Sequence, residues 1–189
     1  MSRRFHVCVF CGARVGKVPR YAEEAAAFGR RLGERGLALV YGGARVGLMG
    51  HLADAALAAG APVMGVLPRT LASVEVAHGG LTELVLVDGL HARKARMTAE
   101  SDAFVALPGG FGTMDELFEA LTWSQLGLHT RPLGLLNVAG FYDALVAAME
   151  RQVEDGFVTP ADRARLVVEP DADTLLDAIG APGAGGSRR

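Results

Sequence analysis

The sequence predicts an α/β protein: a Rossmann-like open parallel sheet with helices on both faces. Three observations point there. Short apolar runs alternate with longer amphipathic ones along most of the 189 residues. The short runs are continuously apolar instead of alternating, as strands covered on both faces are. Glycine then collects where these runs end, in "CGARVG", "YGGARVGLMG" and "PGGFGT". In such a sheet those carboxyl ends are where ligands bind.

The strands are expected at residues 5–10, 37–41, 63–66, 84–87, 104–107 and 133–136. Helices are expected at 21–35, 48–59, 91–101, 113–126 and 142–155, with a short last one near 174–179. The first helix shows its limits in "PRYAEEAAAFGRRLGERG", with proline near the start, acids early, basics late and glycine at the stop. Residues 1–180 are expected to form one nucleotide-binding domain, followed by a disordered tail at 181–189.

Composition narrows the function classes. Half the residues are hydrophobic and the formal net charge is -2, so nothing draws the chain as a whole to nucleic acid or an anionic membrane. The start, "MSRRFHVCVFCG", has too short an apolar run for a signal peptide or a membrane span, and a cytoplasmic location is expected. Cys8 and Cys11 are spaced C-x-x-C, but no second pair completes a zinc site. They read as buried small residues at a strand end. No metal and no cofactor is expected.

The glycine loops must therefore carry any local anion site. "GARVGKV" is one residue short of a P-loop and has no Ser or Thr after Lys17. "GGARVGLMG" misses the dinucleotide fingerprint, because Arg45 takes a position that needs a second glycine. Tight strand-to-helix turning explains these loops without any ligand. "PGGFGT" offers more. Gly109, Gly110 and Gly112 allow backbone N–H groups close approach, Thr113 adds a hydroxyl, and the helix behind presents unpaired N–H groups and its positive dipole end. A single phosphate suits that place.

Glu116 has two readings. Thr113-x-x-Glu116 is a capping box, worth ~1 kcal/mol as structure alone. Otherwise the carboxylate stands beside the phosphate and faces a ribose. In "DGLHARKARMTAES", Arg93, Lys94 and Arg96 crowd a helix start, where cations oppose the dipole. That run is either a solvated basic face or a site for an anionic partner. His51, His78, His91 and His129 read as surface or capping residues, and Trp123 as a core or interface aromatic.

Together "VYGGARVGLMG", "EVAHGGLTEL", "HARKARM", "PGGFGTMDEL" and "LTWSQLGLH" resemble the Lonely Guy family of cytokinin-activating phosphoribohydrolases, from about Val7 to Ile179. The resemblance implies a Rossmann-like homodimer that hydrolyses the N-glycosidic bond of a nucleoside 5′-monophosphate. The family's catalytic arginine and glutamate fall on Arg93 and Glu116. Its substrate contacts fall on Glu75, Lys94, Thr122 and the loop that runs through Gly109, Gly110, Phe111, Gly112, Thr113, Met114 and Asp115, with Gly42 and Gly43 in the second glycine turn. This chain departs from the family where loop serines give way to Ala13, Arg14, Ala44 and Arg45, and where Phe111 stands for a common tyrosine. Arg14 or Arg45 are candidates to replace the lost donors. Family members have been labelled lysine decarboxylases, but a pyridoxal phosphate enzyme needs a Schiff-base lysine and only Lys17 and Lys94 exist. The alternative function is a carrier that binds a nucleotide or phosphorylated cofactor without hydrolysing it.

Overall fold

The structure is a computed structural model that describes residues 3–71 and 77–183. In chain order it runs β1 (His6–Phe10), α1 (Pro19–Glu34), β2 (Ala38–Tyr41), α2 (Gly47–Ala58), β3 (Val63–Pro68), β4 (Glu83–Val87), α3 (Leu90–Glu100) and β5 (Ala103–Ala106). It continues with α4 (Phe111–Gln125), β6 (Leu133–Leu136), α5 (Asp143–Glu154), α6 (Pro160–Arg163), β7 (Leu166–Glu169) and α7 (Ala172–Ala178).

The strands form one parallel sheet in the order β4-β3-β2-β1-β5-β6-β7. β1 pairs with β2 on one side (Cys8 opposite Val40) and with β5 on the other (Val9 opposite Val105). The winding reverses at β1. Its carboxyl end and that of β5 therefore flank the crevice that such a sheet leaves for a ligand.

Successive residues of a strand face opposite ways, so the sheet feeds two cores. Val7, Val9, Leu39, Tyr41 and Val105 pack against α1, α2 and α7. Cys8, Phe10, Val40, Phe104 and Ala106 pack against α3, α4 and α5. Cys8 and Cys11 are free and buried, as the small-residue reading expects. On α1 the buried residues Ala25, Phe28, Gly29 and Leu32 follow the helical period, and α2 meets them with Leu52, Ala53 and Ala56. A Cβ on Gly29 would collide with the carbonyl of Leu52, so glycine is what lets these two helices touch.

Three expectations need correction. β7 and α6 were not expected. "LVVE" is a four-residue run set between Arg165 and Pro170, and pairing with β6 is what makes it a strand. α6 is a single turn capped by Thr159, whose hydroxyl accepts the N–H of Asp162. α4 begins at Phe111, with Gly110 as its N-cap, two residues before the expected start. Among the described residues no helix is long and apolar enough to cross a membrane. Of the tail, residues 184–189 lie outside those described.

Candidate active site

The loops after β1, β2 and β5 are tied to one another before any side chain takes part. Gly12 donates its N–H to the Pro108 carbonyl (3.1 Å) and accepts the N–H of Leu48 at the start of α2 (2.9 Å). Tyr142 braces the base of the β5 loop by donating its hydroxyl to the Leu107 carbonyl at 2.6 Å. Gly47 has φ +60, and a Cβ there would run into the backbone of Ala13 and Arg14. Only glycine allows that conformation and that contact together.

Between these loops lies a cavity of about 640 Å³. Its walls include the β1 loop from Gly12 to Gly16, the β5 loop from Pro108 to Thr113, and the side chains of Arg93, Lys94, Asp115 and Glu116. Gly110 caps α4 without any side-chain hydrogen bond, so the first N–H groups of that helix stay available on the cavity wall. Backbone donors and the positive helix end there suit a phosphate.

The two charged residues expected to act together do meet. Arg93 Nη2 donates to Glu116 Oε1 at 3.0 Å, with the side chains 15% and 11% exposed. Burial raises the Glu116 carboxyl above the usual glutamate range; Arg93 opposes this, Asp115 adds to it, Lys94 opposes and Glu119 adds. A carboxyl moved up this way is a better base near neutral pH than an exposed one. Arg93 Nε is buried and has no hydrogen-bond partner among the described residues. The guanidinium lies against Gly42, where a Cβ would collide with Nη2. Gly42 is thus what makes room for the arginine.

The capping reading of Glu116 fails on geometry. With Gly110 as N-cap, Thr113 is the third helical residue and Glu116 the sixth, a full turn too late to reach back to the cap. Its carboxylate pairs with Arg93.

The other expected site residues divide. Gly109, Gly110, Phe111, Gly112, Thr113, Asp115 and Lys94 line the cavity beside the pair. Phe111 stands at its edge, 96% exposed. Met114 does not line it and packs against the core on the α4 side. Thr122 is exposed and lies outside it. Gly42 borders a smaller apolar hollow of about 310 Å³ that shares Ala13, Met49 and Arg93 with the cavity and is lined also by Leu67 and Leu71. Gly43 lines neither space, and its carbonyl accepts the N–H of His78. Glu75 lies outside the described residues. Of the two arginines offered as replacements for loop serines, Arg14 lines the cavity and Arg45 does not.

Sequence reasoning missed part of the wall. Tyr21 and Phe141 meet edge-on, ring centroids 5.6 Å apart, and both border the cavity. They are 120 residues apart in "RYAEE" and "GFYDA", with no local pattern to join them. Cys11 also lies in the wall, and burial raises its thiol far out of the reactive range. His78 and His129 are buried, His78 on Asp54 (2.9 Å) and His129 on the Ala120 carbonyl (3.0 Å), both away from the cavity.

Comparison with known proteins adds to this geometry. A family model described as "Possible lysine decarboxylase" matches residues 49–179. The chain is 50% identical over 177 residues to a cytokinin riboside 5′-monophosphate phosphoribohydrolase of Rhodococcoides fascians, which covers 93% of this chain and 89% of that protein. To LOG7 of Arabidopsis thaliana, of the same description, it is 46% identical over 175 residues, 93% of this chain and 81% of that one. Among solved structures, the molybdenum cofactor binding protein of Rippkaea orientalis matches with TM-score 0.72 at 20% identity, over 94% of this chain and 96% of that one. A molybdenum cofactor carrier protein of Chlamydomonas reinhardtii matches with TM-score 0.71, also at 20% identity, over 94% and 97%. At that identity the likeness shows the fold alone.

The residues do not fit the chemistry that the decarboxylase description suggests. A Schiff base needs an uncommitted lysine. The Lys94 ammonium is held by Asp115 and Glu119, and Lys17 is exposed and outside the cavity lining.

Proposed function

Since the chain belongs to the family of cytokinin riboside 5′-monophosphate phosphoribohydrolases, we propose that it hydrolyses the N-glycosidic bond of N6-modified adenosine 5′-monophosphates. The products are the free base and ribose 5-phosphate. The observation that carries this reading is the Arg93–Glu116 pair, 3.0 Å apart and largely buried, in one cavity with the uncapped start of α4.

In this reading the 5′-phosphate docks on the first N–H groups of α4, between Gly110 and Thr113. Remote binding of that kind orients the reacting sugar. The bond from C1′ to the purine nitrogen then breaks through an oxocarbenium-like state, with the electron pair leaving on the base. Glu116 stabilises the sugar cation and takes a proton from the water whose oxygen bonds to C1′. The departing purine takes up one proton from solvent, and Glu116 releases to solvent the one it took, so a single water is consumed. Arg93 cannot give up a proton at ordinary pH, so its part is to hold Glu116 in place and stabilise developing negative charge. The apolar hollow that shares Arg93 with the cavity supports the N6-modified part of the reading, since its lining suits a hydrocarbon substituent. Exposed Leu90 and Phe118, on α3 and α4 of the same sheet face, support a homodimer joined there, which light scattering on the purified protein would reveal.

The test is product analysis with AMP, isopentenyl-AMP and the corresponding nucleosides. Free base should appear from the monophosphates, with adenosine at least about a hundredfold poorer in kcat/KM. Equal turnover of adenosine would remove the phosphate dock. Tight AMP binding with no base released would replace the hydrolase with the carrier reading.

A further inference from the structure

The resemblance carries Lys94 over as a substrate contact, but its surroundings assign it a different task. Lys94 follows Arg93 on α3, and its side chain is 12% exposed. Its Nζ lies 3.0 Å from Asp115 Oδ2 and 2.7 Å from Glu119 Oε2. Those carboxylates stand one residue before and three residues after Glu116 on α4, so three acids share little more than one helical turn. Burial alone pulls the Lys94 ammonium towards neutrality, and the hydrogen bonds and charges of Glu119 and Asp115 more than offset it. Two of its three donors are thereby spent.

We propose that Lys94 is a positioning residue for the reaction: it neutralises Asp115 and Glu119 and braces the α3–α4 contact that sets Glu116 against Arg93. The proposal rests on the hydrolase reading and deepens it. Glu116 is faced by Arg93 and Lys94 from α3, by Asp115 and Glu119 on its own helix, and by the thiols of Cys8 in β1 and Cys11 just after it. Take Lys94 away and one cation is left among three carboxylates. The buried one then relieves the repulsion by keeping a proton, and a protonated Glu116 neither steadies a sugar cation nor accepts a proton from water.

The experiment is a carbon-13 carboxyl titration of Glu116 in the substrate-free protein, wild type and Lys94→Met, beside the pH profile of kcat/KM for AMP. In Lys94→Met the Glu116 titration should move up by about one pH unit. The acid limb of the profile should follow, with kcat about tenfold lower at pH values below it. KM for AMP should stay within about twofold. Lys94→Arg, which also offers donors to both carboxylates, should restore the wild-type titration. Should Lys94→Met fail to fold, Asp115→Asn with Glu119→Gln, Lys94 retained, should move the Glu116 titration the other way, downward. The proposal is overturned if Lys94→Met raises KM by about tenfold or more while Glu116 titrates as before, because Lys94 would then be a substrate ligand. It is overturned equally if the double variant leaves the Glu116 titration in place. A wild-type protein that releases no base would sink the hydrolase reading alone, since the carboxyl titration needs no turnover.

Discussion

The two faces of the sheet are held together by different physics. On one, α1 and α2 meet through Phe28, Leu32, Leu52, Ala53 and Ala56, all buried, with glycine at the closest approach. On the other, α3 buries Met97 alone. It meets α4 through Arg93–Glu116, Lys94–Asp115 and Lys94–Glu119. The first face is dry packing, where stability scales with the apolar area removed from water. The second spends part of its contact on desolvated charge, which is weak as a source of stability. The face that holds the fold and the face proposed to do chemistry are therefore separable, and substitutions can test the separation.

The largest effect is expected from Glu116→Gln. The amide keeps the shape but loses the charge and the basicity, so kcat should fall by roughly 10²–10⁴ while the circular dichroism spectrum is retained. Near-normal turnover would move the chemistry elsewhere. Next, Leu52→Ala on the dry face should cost roughly 2–5 kcal/mol in denaturant unfolding, with the activity of the folded fraction unchanged. If activity fell in proportion, the two faces would not be independent. Gly42→Ala sharpens the contrast, because it is a steric change on the site side. The added methyl displaces the Arg93 guanidinium, and kcat/KM should fall roughly 10²-fold with far less loss of stability.

The smallest effect belongs to Asp171, which caps α7 by accepting the N–H of Thr174 at 2.8 Å. The hydrogen bonds from the Thr174 N–H and then its hydroxyl hold the Asp171 carboxyl below its usual range. A carboxyl depressed in the folded state stabilises above its unfolded pKa and loses that contribution as pH falls through its folded one. Asp171→Ala should cost about 1 kcal/mol at pH 7 and progressively less in acid, read as the difference in urea midpoints.

Much of the fold was legible because its signals are local. Continuous apolar runs marked six of the strands, and glycine marked the three loops that converge. β7 was not legible: a half-buried run of four residues has too little apolar length to stand out, and an edge place beside β6 decides its state. At the site, Arg93 and Glu116 stood out by residue type in short motifs. The Tyr21–Phe141 wall did not, because contact order of that kind leaves no trace in either neighbourhood.

The sequence by itself determined the sheet class, the edge of the sheet that carries the glycine loops, and the charged residues proposed to react. Those features follow from hydrophobic period and from residue types that few other roles explain. Tertiary structure alone decided that Glu116 answers to Arg93 instead of its own helix start, and that Lys94 sits between two carboxylates. With Gly110 as the cap, Glu116 stands a turn inside α4 and beyond reach of its start, and no local pattern records where the neighbouring helix has placed its cations.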